Sequence, residues 1–173
     1  LGRTLQIVKR LAASSKVPAQ SFAAGSFYSA APVKYGPYAA RFSLRAHAPS
    51  DAAFSPTDFA VDMANRLRAG DVSYDFMVQF FVDEKRSPIE DASVDWAESI
   101  SPYVKVAQLV IRQQDADSSE GRQVTERVET LSFDPWHALV DHRPLGGVMR
   151  ARNVAYRVST QERQAAPESD LLS

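Results

Sequence analysis

The chain has 173 residues, 45% hydrophobic and 24% charged, the balance of one ordinary globular domain able to bury a core. Its 20 basic and 21 acidic residues leave a formal charge of -1, which gives no electrostatic case for nucleic acid or for an anionic lipid surface. Without a single cysteine, disulfides, thiol catalysis and Cys-ligated metal centres are excluded, and no apolar run approaches the ~18 residues of a membrane span.

In chain order, Leu5, Val8, Leu11 and Ala12 fall at helical spacing and predict a short amphipathic helix over 3–13. Residues 14–25 read as a loop, and nothing at the start has the basic-then-apolar pattern of a secretion signal, so the compartment stays open. The first residue is Leu1 rather than Met, as in a processed product or a piece of a longer protein. Pro32, Gly36 and Pro37 interrupt the next segment, and alternation of Phe42 and Leu44 with Arg41, Ser43 and Arg45 predicts a half-buried strand over 38–46.

Ser55-Pro56-Thr57-Asp58 reads as a helix start with Ser55 as the cap. Phe59, Met63 and Leu67 follow at intervals of four, and Gly70 stops the helix. The aromatic and β-branched run 73–83 is the strongest strand signal, with Tyr74, Phe76, Val78, Phe80 and Val82 on one face, and 103–112 gives a second strand. The long connection between them has no period. A turn is expected over 113–122, and 123–131 fits either a helix or a strand. After an irregular stretch framed by Pro135 and Pro144, a helix follows Gly146-Gly147 with Met149, Val154 and Val158 as its apolar members. The pattern is α+β around antiparallel sheet, one domain over 1–164 with a frayed tail at 165–173.

Arg152 and Tyr156 stand four residues apart, so on a helix they share a face and their side chains meet. A guanidinium beside a phenol favours the phenolate, a hard anionic ligand suited to ferric iron. Arg163 lies seven residues further along roughly the same face. The alternative is a solvated Arg–Tyr stacking pair. His137 and His142 have a spacing used for zinc, but the flanking prolines favour structural hydrogen bonding, and His47 sits at a strand end. Glu90, Asp91, Asp95 and Glu98 surround Trp96, more in the manner of a salt-bridged loop than of a cation site, because the glycine-bearing calcium loop is missing. Gly146-Gly147 matches no phosphate-binding fingerprint and reads as a turn. No nucleophile elbow supports a Ser–His–Asp triad.

The segment LSFDPWHALVDHRPLGGVMRARNVAYRVSTQER resembles the proximal haem segment of the haem catalase superfamily, and most of all its smaller catalase-like (catalase-related peroxidase) group. FMVQFFVDEKRSPIEDASVDWAESISPYVKVAQLVI is similar to the family's barrel strands and their connecting loop, and FYSAAPVKYGPYAARFSLRA to the strand before its helical insertion. The likeness covers roughly residues 26–163 and implies the C-terminal part of a catalase-like antiparallel β-barrel with flanking helices. It implies haem b as cofactor, with Tyr156 as the iron ligand, Arg152 hydrogen-bonded to it and Arg163 on a propionate. It further implies decomposition or reduction of hydrogen peroxide or organic hydroperoxides.

The family's distal half precedes the matching region, and none of His47, His137 and His142 aligns with its distal histidine. A second chain or a preceding segment is therefore expected to supply that half, in a homo- or hetero-oligomer, because the open strand edges of a half-barrel demand pairing. The alternatives are a non-catalytic catalase-like scaffold subunit of a larger assembly and a haem carrier or sensor.

Overall fold

A computed structural model describes residues 21–47 and 58–165. The helix expected over 3–13, the loop over 14–20 and the tail from 166 on lie outside the described residues. The strands are β1 (Ser26–Tyr28), β2 (Val33–Tyr35), β3 (Tyr38–Ala46), β4 (Val72–Phe80) and β5 (Val104–Ile111). The helices are α1 (Phe59–Ala69), α2 (Ser119–Glu129) and α3 (Gly147–Glu162), with a 3-10 turn at Val140–His142.

All strand pairs are antiparallel, in the order β1-β3-β4-β5, with β2 also on β3. The sheet is open. Among the described residues the expected part of an antiparallel barrel is a five-stranded antiparallel sheet with helices, and this sheet does not close into a barrel. β3 and β4 coincide with the expected strands to within a few residues, whereas Val82 lies beyond the end of β4. β1 and β2 were unmarked by local pattern. Each is three residues long and exists by pairing with a different half of β3, β1 on 43–45 and β2 on 38–40. Gly36, at φ 61, makes the two-residue turn between Tyr35 and Tyr38.

Register sorts the side chains into two faces. Ala40, Phe42, Leu44 and Ala46 pair with Phe80, Val78, Phe76 and Tyr74 on one face. At one end of that face α1 packs Met63 and Leu67 against a core of Ala23, Val72 and Tyr74. α1 corrects one expectation: its cap is Asp58, not Ser55. Asp58 is extended (φ -150, ψ 96) and its carboxylate accepts from Ala60 N and Val61 N, both at 3.0 Å, so the helix starts at Phe59. Gly70 ends it as expected.

The other face carries Arg41, Ser43 and Arg45 opposite Gln79, Met77 and Asp75, and the 81–103 connection covers it. Trp96 is buried there under the Arg41 guanidinium, 4.8 Å from its centroid, and Arg45 lies 4.9 Å over Tyr103. Burial lowers the pKa of Arg41, with Tyr103 and Asp95 acting in opposition. Ser43 is fully buried, and its hydroxyl has no partner among the described residues. Ser43→Ala is therefore expected to leave stability unchanged or raise it by up to about 1 kcal/mol, read from the urea midpoint.

The segment expected to turn at 113–122 turns at 115–118 and then enters α2, where Ser118 Oγ caps Gly121 N at 3.0 Å. α2 ends at Glu129, which resolves the helix-or-strand ambiguity as helix. α3 forms where expected, yet only Met149 of its three apolar members is buried. Val154 and Val158 are 66% and 51% exposed. They lie about 120–200° around the helix from Met149, Arg152 and Tyr156, on a side that no described element covers.

Four carboxylates are held below the ordinary carboxylate range. Lys105, then His47, does this to Asp75; the Gln113 amide and Arg112 to Asp71; Arg86 to Asp83; and Arg150 to Glu90. A depressed folded-state pKa adds stability above the unfolded value, and that stability is lost as pH falls through the folded value. The urea midpoint is expected to hold from pH 7 to about 5 and to fall below about pH 4. Asp75→Asn should flatten that fall.

Candidate functional site

α3 is the element that builds the site. Its first turn is fixed from outside the helix, because Glu90 accepts from Gly147 N at 2.8 Å and from Arg150 Nη2 at 2.8 Å and Nη1 at 3.1 Å. A carboxylate thus fills the place at the helix N-terminus where an anion is favoured; of the expected Gly146-Gly147 turn, Gly146 is the cap and Gly147 already the first helical residue. Gly146, at φ 85, adopts a backbone reserved for glycine.

One turn on, Arg152 Nη2 donates to Tyr156 Oη at 2.7 Å, and its guanidinium carbon lies 5.3 Å from the phenol centroid. Arg152 Nη1 lies 3.7 Å from Met149 Sδ, so buried Met149 steadies the second arm of the fork. The expected i,i+4 meeting is therefore present in the helix. Tyr156 opens on a cavity of about 360 Å³ shared with Ser132, Phe133, Asp134, Pro135 and His137. Asp134 shapes that wall: its carboxylate accepts from Trp136 N at 2.9 Å, and its carbonyl accepts from His137 N at 2.9 Å. Arg163 ends α3 and reaches Leu131 O at 3.5 Å, beside the same segment. The Trp136 indole N–H is buried without a partner among the described residues.

The rest of the sequence candidates are dispersed. His137 and His142 line different cavities, and the described residues hold no group of three or more His, Cys, Asp or Glu fit for a metal. His47 hydrogen-bonds Asp75 at 2.5 Å. In the acidic cluster, Glu90 ties down α3, Asp91 accepts from Ser93, Glu98 pairs with Arg45 at 3.1 Å, and Asp95 acts on Arg41 through its charge. The cluster is a set of structural tethers. Of the cavity wall at 132–137, the residue patterns singled out only His137, and the aspartate ahead of a proline, an Asx-turn signal, is the feature that marks the rest.

The residues present suit a haem group in their chemistry. A phenol oxygen is held by a cation and faces a cavity, a second cation stands at the helix end, and a buried N–H donor is left over.

No family profile matches the chain, and no curated protein matches it in sequence. Solved structures do match its fold. A fungal catalase aligns at TM-score 0.67 and 16% identity, over 85% of this chain and 32% of that one. A bacterial catalase aligns at TM-score 0.62 and 15% identity, over 84% and 31%. Catalase A from Saccharomyces cerevisiae aligns at TM-score 0.65 and 12% identity, over 84% and 33%. The chain has a catalase-like fold and spans about a third of the length of these catalases. No helix among the described residues is long and apolar enough to cross a membrane.

Proposed function

We propose that this chain supplies the tyrosine-bearing, proximal side of a haem-dependent enzyme that consumes hydrogen peroxide or organic hydroperoxides. The observation that carries the reading is the Arg152–Tyr156 hydrogen bond of 2.7 Å at a cavity in a catalase-like fold.

Arg152 directs an N–H at Tyr156 Oη, so the guanidinium is the group that orients the phenol oxygen. Met149 and the helix backbone keep the fork from swinging away, so the oxygen is presented in one direction. In this reading Tyr156 would hold the haem iron and Arg163 would pair with a propionate carboxylate. Haem would supply the redox chemistry. Acid–base handling of the peroxide proton falls to a distal half outside the matching region, on a second chain or a preceding segment.

The test is isolation of the chain from its source with whatever co-purifies, followed by an absorption spectrum and a peroxide-decay assay. The expected result is a Soret band and peroxide loss, both missing in Tyr156→Phe. Haem without peroxide loss would overturn the enzyme reading in favour of a carrier. Partner chains without a Soret band, and no gain on adding hemin, would leave a scaffold. The open β5 edge, with Val104, Val106 and Leu109 exposed, would then be its natural joining surface.

A further inference from the structure

A second cavity, of about 350 Å³, lies on the apolar face of the sheet, away from the end that α1 covers. Val33, Ala40, Phe42, Phe76 and Val78 wall it, and Ala40 and Val78, each 1% exposed, are its most buried lining residues. Its volume falls in the range of small-molecule pockets.

The frame resists collapse for two reasons. Phe42 and Phe76 lie 5.6 Å apart, and the Tyr35 ring is wedged 5.7 Å from Phe80 and 5.9 Å from His142. The 141–145 strap is bonded to β2 and the residue on either side of it: Lys34 N donates to Arg143 O at 2.9 Å, Gly36 N to Asp141 O at 3.1 Å, and Leu145 N to Pro32 O at 2.9 Å. These bonds hold the strap beside the sheet.

The charge pattern selects the ligand. Arg41 also lines the cavity, but its guanidinium lies over Trp96 on the opposite face of the sheet. The polar groups left to meet a ligand are the Tyr35 phenol and the exposed His142 imidazole. We infer that this cavity binds a neutral, chiefly apolar small molecule carrying one hydrogen-bonding group. Its body would lie against Phe42 and Phe76, and its polar group would face Tyr35 and His142. The inference does not depend on haem.

N-phenyl-1-naphthylamine, a neutral aryl amine whose fluorescence rises in apolar surroundings, is the probe for the full chain without haem. Saturable one-to-one binding is expected, at least tenfold tighter than that of the anionic anilinonaphthalenesulfonate. Ala40→Leu, which fills the cavity, should weaken it at least tenfold while leaving the far-ultraviolet circular dichroism unchanged. If Ala40→Leu does not fold, Val33→Phe fills the same space from β2 and decides the question by the same titration. Non-saturable uptake, equal affinity in the filled variant, or preference for the anionic probe would overturn the proposal.

Discussion

Gly146→Ala is expected to destabilise the protein by roughly 3 kcal/mol or more. Two costs add. At φ 85 and ψ 163 the residue occupies a region open almost only to glycine, worth about 1–3 kcal/mol for any other residue. A Cβ there would sit 2.6 Å from the Ile89 carbonyl oxygen, a backbone atom that cannot swing aside. Relieving that overlap costs about 1–3 kcal/mol more. For a chain of this size, the melting temperature should fall by roughly 6–12 °C. Gly147→Ala is the control. Its Cβ would meet the ends of two flexible side chains, Glu90 Oε2 at 3.2 Å and Arg150 Nη2 at 3.5 Å, so its effect should be several-fold smaller. Equal melting temperatures for the two variants would contradict this account of how α3 is started.

Gln79→Ala carries the other large effect. The side chain is 1% exposed and lies one residue from the end of β4. Its Nε2 donates to Trp96 O at 2.7 Å and to Ser101 O at 2.8 Å, which fastens the long connection onto the sheet. Truncation leaves two carbonyls without this donor and opens a void under Trp96. At about 1–3 kcal/mol for each unsatisfied buried group, the loss is roughly 2–5 kcal/mol. Gln79→Glu should be no better, since a carboxylate presents acceptors to both carbonyls and buries a charge. Urea unfolding followed by tryptophan fluorescence would read both variants, and a midpoint within experimental error of the parent would contradict the assignment.

The sequence made visible whatever rests on local period and local chemistry. β3, β4 and α1 repeat the alternation and four-residue spacing in their residues, and Gly70 stops α1 as a helix C-terminus does. β1 and β2 were invisible because three-residue strands owe their existence to pairing with β3. The cap of α1 is Asp58 rather than the expected Ser55, because the Asp58 backbone is extended and its carboxylate reaches the first helical amides, a geometry that composition alone does not assign. Val154 and Val158 show a further limit: helical period assigns residues to a side of α3, but it does not say which side is buried, and here that is the side of Met149.

The candidate site divides along the same line. The Arg152–Tyr156 contact follows from a spacing of four on one helix and could be read directly. The wall at 132–137 and the Glu90 tether could not, because the first is an irregular segment set by an Asx-turn and the second acts across 57 residues.

The most direct test of the central claim is a hemin titration of the full chain, followed by its absorption spectrum. The account predicts a ferric, high-spin tyrosinate spectrum that is lost or reshaped in Tyr156→Phe. Arg152→Gln should bind roughly 10–100-fold more weakly, as expected when the hydrogen-bond partner of a metal ligand is removed. The same spectrum and affinity in the parent, Tyr156→Phe and Arg152→Gln would contradict it.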